Sequence, residues 1–83
     1  MSSIEIWGGD NCIYCKKAVK LAEDYRLTIN YINVKQNKEE FKKRFGEDCK
    51  TIPQIIWNGN HIGGYDEFLT EIDNTIGGYG EYT

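Results

Sequence analysis

The chain has 83 residues, 40% hydrophobic and 28% charged, the balance of a soluble globular domain with room for a small site and no large cavity. No apolar run approaches the roughly 20 residues of a membrane helix, and the amino terminus lacks a basic start and an apolar stretch of the secretory kind, so a reducing cytoplasm is the expected location. A net charge of -3 leaves no footprint for nucleic acid and points to small thiols or other proteins as partners.

Residues 3–7, Ser-Ile-Glu-Ile-Trp, set Ile4 and Ile6 against Glu5 with period two, the pattern of a strand with one better buried face. Gly8-Gly9-Asp10-Asn11 is turn composition. From Cys12 the period changes: Cys15, Ala18, Ala22 and Tyr25 recur at three or four with Leu21 widening the stripe, while Lys16, Lys17, Lys20, Glu23 and Asp24 take the other side. An amphipathic helix opening at or next to Cys12 is predicted. Residues 28–34, Thr-Ile-Asn-Tyr-Ile-Asn-Val, are rich in β-branched and aromatic types and predict a second strand, parallel to the first across the helix.

Asn37 with Glu40 has the form of a capping box, Phe41 and Phe45 lie about one turn apart and Gly46 offers a stop, so a short helix is expected over 38–45. Gln-Ile-Ile-Trp and Asn-His-Ile-Gly flank Asn58-Gly59, a pair that tolerates positive φ and predicts a tight turn between antiparallel strands. Asp66 is a candidate cap for a last helix whose Phe68, Leu69, Ile72 and Ile76 share one face and which ends at Gly77-Gly78. The tail 77–83 has little to bury and is expected to be mobile. Together these elements predict a single α/β domain over 1–83, a four-stranded mixed sheet with three helices on its faces.

Three cysteines is an odd count, which argues against a secreted disulfide framework and leaves reactivity or metal binding as the reason for Cys12-Ile13-Tyr14-Cys15. Residues i and i+3 share a helix face, and Cα atoms about 5 Å apart can be bridged by a disulfide. Cys12 falls where unpaired amides and the positive end of the helix dipole favour a thiolate. Its pKa is expected below the free value of about 8.5, within the roughly 3.5 to 7.5 reached in such settings. Lys16 either adds positive potential there or is plain helix surface. Cys15 begins the buried stripe, which makes Cys12 the exposed attacker and Cys15 the sheltered resolving thiol. A zinc site drawing on Cys12, Cys15, Cys49 and His61 is the weaker reading, because the second pair lacks close spacing. Cys49 reads as a spare thiol and His61 as a hydrogen-bonded edge residue.

Pro53, the only proline, stands at the entrance to a strand, where it costs a ladder hydrogen bond unless it lies at an edge, a bulge or a first position. A kink there would leave the N–H and C=O of Ile52 unpaired and able to take an extended peptide as an added strand. Gly63-Gly64 would let backbone approach a ligand closely, and the amides opening the last helix would seat a carboxylate. The alternative is a tight turn with Asp66 as a cap and nothing more.

Cys-Ile-Tyr-Cys after a first strand, then Thr51-Ile52-Pro53-Gln54-Ile55, then His61-Ile62-Gly63-Gly64-Tyr65-Asp66-Glu67-Phe68, in this order and at these separations, resemble the glutaredoxin family in its dithiol form. The likeness runs from about Ile4 to Ile76 and is similar to small bacterial and viral members. It implies a thioredoxin-like fold with strand order 2-1-3-4, a cis Ile52-Pro53 bond and a glutathione groove. It further implies that Cys12 is the nucleophile, Cys15 the resolving thiol and Tyr14 a wall of the groove. Thr51 and Ile52, with Pro53 after them, would pair with the cysteinyl backbone of glutathione, and Gly64, Tyr65 and Asp66 would hold its γ-glutamyl end. Trp7 and Trp57 match core positions.

The implied activity is that of a glutathione-dependent thiol-disulfide oxidoreductase, monomeric and metal-free, which reduces protein disulfides and glutathione mixed disulfides. Ribonucleotide reductase is a frequent client of the family. Two positions depart from the pattern. Gly9 stands where many members have a lysine that contacts the glycine carboxylate, which leaves either Lys16 or Lys50 as a substitute or a weaker affinity for glutathione, and Ile13 stands where many have proline. The rival reading is a non-catalytic module that uses the CxxC pair to hold a metal or an iron-sulfur cluster, or to dock a partner.

Overall fold

Ile4 and Ile6 bury one face of the first strand, as their spacing requires, and the rest of the molecule is arranged around that strand. The structure is a computed structural model and describes residues 3–75. Its elements are β1 (Ser3–Gly8), α1 (Ile13–Asp24), β2 (Thr28–Asn33), a 3-10 turn (Val34–Gln36), α2 (Lys38–Phe45), β3 (Gln54–Trp57), β4 (Asn60–Gly63) and α3 (Tyr65–Thr75). The sheet order is β2-β1-β3-β4, with β1 parallel to β2 and the pairs β1/β3 and β3/β4 antiparallel. This is the four-stranded mixed sheet with three helices that the sequence predicts.

Ile4, Ile6, Ile55 and Trp57 face α1 and α3, where Ala18, Ala22, Phe68 and Ile72 complete the main core. Burial of each large apolar side chain contributes about 1.5–3 kcal/mol, so β1, β3 and α3 hold most of the hydrophobic stabilisation. Phe68 sets its ring edge-on to Trp57 at a centroid distance of 5.7 Å. On the opposite face Trp7 meets Phe45 at 5.5 Å and Phe41 at 6.2 Å. That contact holds α2 down. The acids Glu39 and Glu40 in the first turn of α2, and Lys42, Lys43 and Arg44 in its last, complement the helix dipole.

Both expected tryptophans are buried. Asn58 and Gly59 take φ of 51° and 86°, the left-handed pair that a two-residue hairpin turn needs and that Asn-Gly accepts at low cost.

Three local expectations are corrected. Val34 leaves the strand, because the Asn33 side chain accepts from the Gln36 amide and starts the 3-10 turn. The Asn37–Glu40 capping box does not form, since Asn37 Nδ2 donates to the Asn33 carbonyl at 2.8 Å and its side chain makes no cap bond to α2. Asp66 is not the cap of α3. The helix opens at Tyr65 with the Phe68 amide bonded to the Gly64 carbonyl, and Glu67 Oε1 accepts from the Gly64 amide at 2.9 Å. Ile76, the expected end at Gly77-Gly78 and the tail 77–83 lie outside the described residues.

Candidate active site

Cys12 is the residue immediately before α1, in extended conformation (φ -116°, ψ 110°), and its Sγ accepts from the Cys15 amide at 3.2 Å. A cysteine here serves the helix as serine or aspartate would, and it places its sulfur among the amides that no preceding carbonyl satisfies. Cys12 and Cys15 are joined by a disulfide, with Cα atoms 5.1 Å apart. Cys15 is fully buried and Cys12 half-buried, the asymmetry that the stripe pattern predicts. Ile13 and Tyr14 between them are exposed at 70% and 54%, so the short segment around the attackable sulfur is a surface projection.

The loop before Cys12 is pinned from β2. Tyr31 donates its hydroxyl to the Gly9 carbonyl at 2.6 Å, and Asn33 Nδ2 donates to Asp10 Oδ1 at 2.9 Å. Burial, and then the charge of Asp10, raise the Tyr31 phenol above its ordinary pKa, so it remains a donor at neutral pH. Asn33 is also where the 3-10 turn and α2 are fastened, through its side-chain oxygen and its carbonyl. Gly8 is required for contact rather than for a turn: a Cβ there would meet Tyr31 Oη at 2.5 Å and Cys15 Sγ at 2.7 Å. Tyr31, Asn33 and Gly8 were not singled out by the motif reading. Only the polar residues alternating within a strand hinted at the first two.

Across from the disulfide, the Ile52-Pro53 bond is cis, and the Ile52 carbonyl oxygen lies 4.0 Å from Cys12 Sγ. Gln54 holds this segment to the sheet. Its Nε2 donates to both the carbonyl and the hydroxyl of Thr51 at 3.0 Å, and its Oε1 meets His61 Nε2 at 2.7 Å. His61 is thus the hydrogen-bonded edge residue expected, with Phe45 against its ring at 4.8 Å.

One groove of about 570 Å³ collects the expected ligand-contact residues. Tyr14, Thr51, Ile52, Pro53, Gly64, Tyr65 and Asp66 all line it. The Tyr14 and Tyr65 rings approach to 5.9 Å, and Lys17 Nζ stands 5.2 Å from the Tyr14 ring centre. Gln54, Ile62 and Glu67 also line the groove and were not anticipated. Asp66, released from capping, is exposed in the first turn of α3.

Gly9 sits against Ile52, where a Cβ would lie 3.1 Å from Cδ1 at the end of that exposed side chain. Lys16 and Lys50 line cavities other than this groove. Cys49 is a free, half-buried thiol 4.0 Å from the Thr51 carbonyl oxygen. Among the described residues, no three of His, Cys, Asp and Glu converge as a metal-holding group, and no helix is long and apolar enough to cross a membrane.

Comparison with known proteins agrees with this geometry. The sequence profile described as Glutaredoxin matches residues 4–62. Glutaredoxin 1 of Escherichia coli strain K12 is 32% identical over 79 residues, which span 86% of this chain and 93% of that protein. Glutaredoxin 3 of the same strain is 33% identical over 70 residues, or 81% and 82% of the two chains. The structure of reduced E. coli glutaredoxin superposes with a TM-score of 0.75 at 29% identity, over 90% of this chain and 98% of that one. A buckwheat glutaredoxin-glutathione complex shares the fold, with a TM-score of 0.72 at 20% identity over 88% of this chain and 70% of that one. With the profile, two relatives above 30% identity and the bridged cysteine pair in agreement, the chain belongs to the glutaredoxin family and is a thiol-disulfide oxidoreductase.

Proposed function

We propose that the exchange reaction uses glutathione as reductant and that Cys12 is the attacking sulfur. The supporting observation is the single groove that joins Tyr14, Thr51, Ile52, Pro53, Gly64, Tyr65 and Asp66 beside Cys12. The backbone of Thr51 and Ile52 pairs with the cysteinyl part of glutathione, and the amides opening α3 together with Asp66 hold its γ-glutamyl end. A glutathione complex of a buckwheat relative with the same fold supports the assignment of the ligand.

In the reaction, the Cys12 thiolate attacks the glutathione sulfur of a glutathionylated thiol. The client thiolate leaves and takes up a proton, and a Cys12-glutathione disulfide forms. A second glutathione thiolate then attacks that glutathione sulfur, releasing oxidised glutathione and restoring the Cys12 thiolate. With a protein disulfide as substrate, the first bond is a Cys12-client disulfide, Cys15 displaces the client by attacking Cys12 Sγ, and two glutathione molecules then reduce the Cys12-Cys15 disulfide and leave as oxidised glutathione. Glutaredoxin potentials of about -200 to -230 mV lie close to that of the glutathione pool, so the direction follows its redox state. No metal enters these steps. The molecule acts as a monomer in the cytoplasm, with ribonucleotide reductase among the candidate clients.

The test is turnover of a glutathionylated peptide with glutathione as the sole reductant. Cys12→Ser is expected to be inactive and Cys15→Ser to retain turnover. An inactive wild type would mean that the pair serves another electron donor or a metal.

A further inference from the structure

Ile52 lies between two cavities of opposite charge. Toward α3, the groove carries Asp66 and Glu67 and, among its described lining residues, no cationic side chain. Toward α2, a second cavity of about 520 Å³ carries Lys38, Lys42 and Lys50 against Glu47 alone, and its lining includes the rings and aliphatic groups of Phe41, Val34 and Ile52. The chain as a whole is acidic at -3, so three lysines gathered around an apolar hollow run against its average. Lys38 and Lys42 are four apart on α2, which puts them on one face, and Lys50 directly precedes the Thr51-Ile52 segment.

The hollow adjoins the chemistry. Cys12 Sγ is 4.0 Å from the carbonyl oxygen of Ile52, which lines both cavities, so a segment bonded to that sulfur starts next to each of them. We propose that the cavity between α2 and the Lys50–Ile52 segment docks an acidic stretch next to the target cysteine of a client protein. The occupant is an extended peptide whose aliphatic or aromatic residue fills the hollow against Phe41 and Ile52 while adjacent Asp or Glu side chains meet Lys38, Lys42 and Lys50. The two cavities also give the bound segment a direction, because the α2 end gathers three lysines whereas the described groove lining at the α3 end holds no cationic side chain to pair with an acidic one. This inference names a client class for the reaction above and rests on Cys12 as the attacking sulfur.

Exposed lysine-carboxylate pairs each shift an equilibrium by roughly 1.5- to 5-fold, so two or three acting together give about tenfold at low salt. Salt at about 1 M cuts the screening length to roughly 3 Å and should remove most of it. The Cys15→Ser variant offers a glutathione-free measurement. Three peptides of equal length, each with one cysteine as a thionitrobenzoate mixed disulfide, carry Asp-Leu-Asp, Ser-Leu-Ser or Lys-Leu-Lys beside that cysteine. The Cys12 thiolate attacks the peptide sulfur, a Cys12-peptide disulfide forms, and thionitrobenzoate leaves as a coloured anion with the bonding pair.

The Asp peptide is expected to react about tenfold faster than the Lys peptide at low salt, with the Ser peptide between them and the spread collapsing at high salt. Lys38→Gln/Lys42→Gln should shrink the spread, and Lys38→Glu/Lys42→Glu should reverse the order. Equal rates for the three peptides, or a preference that survives charge reversal, would overturn the docking site and leave the glutathione reading intact. Release from none of the peptides would overturn both, since Cys12 would not then be the attacker.

Discussion

The Cys15 amide donates to Cys12 Sγ at 3.2 Å, so α1, which carries one cysteine of the pair, is capped by the other. Once the disulfide is reduced, the same amide and the helix dipole face the Cys12 sulfur and stabilise its thiolate. The expected thiolate pKa is therefore below the free value of about 8.5. Thiolate absorbance of a Cys15→Ser variant, followed against pH, measures it, and the backbone amide survives the substitution. A midpoint above about 8 would contradict the role given to the cap.

Tyr31 offers a second test. Replacing it with Phe removes the hydrogen bond to the Gly9 carbonyl while keeping the ring, at an expected cost of about 0.5–1.5 kcal/mol in urea unfolding. The phenol pKa is raised above 10.0 in the folded chain, by burial first and by Asp10 second. Folding thus favours the neutral phenol. The associated stability is fully present below the unfolded value near 10 and is lost as pH rises through the higher folded value. Wild type should lose stability over that alkaline range more steeply than Tyr31→Phe. Parallel curves would show that Tyr31 does not couple to folding in this way.

At Gly8, alanine would push a methyl group into Tyr31 Oη and Cys15 Sγ at 2.5 and 2.7 Å. Overpacking of this kind costs typically about 1–3 kcal/mol, and here the strain falls on the resolving sulfur. Gly8→Ala should lower the unfolding midpoint and slow the reduction of a protein disulfide more than that of a glutathionylated peptide, which does not need Cys15. Equal slowing of both substrates would place the damage elsewhere.

Asp66 and Glu67 are adjacent acids with separate duties. Glu67 Oε1 accepts the Gly64 amide at the start of α3, whereas Asp66 lines the groove, exposed, in the first helical turn. Glu67→Ala should cost about 0.5–1.5 kcal/mol of stability. Asp66→Ala should leave the unfolding midpoint nearly unchanged and raise the Michaelis constant for a glutathionylated substrate by roughly tenfold, the scale of a lost charge-assisted hydrogen bond. If that constant stays put, Asp66 does not hold the ligand.

Much of this architecture can be read from local pattern. Asn58-Gly59 demands a left-handed pair of residues, and the change of period at Cys12 marks the start of a helix. The groove was also legible, because its walls come from three contiguous motifs. What could not be read depends on competition between neighbours or on distant partners. Asn37 has the right spacing for a capping box, but the Asn33 carbonyl takes its side chain first. Choosing between Asp66 and Glu67 as the residue that satisfies the helix start needed the position of the first turn to within one residue. The Tyr31 contact joins residues 22 apart, and nothing in a two-residue alternation announces which carbonyl the phenol will find.

Asn33 is bonded at once to the Asp10 side chain, to the Gln36 amide and to the Asn37 side chain. Mechanically it is a shared hinge pin: the loop that presents Cys12 and the turn that starts α2 are mounted on the same residue. A load applied to α2 has a path to the Cys12 loop through this mount, beside the ring contacts of Trp7 and the Tyr31 bond to Gly9.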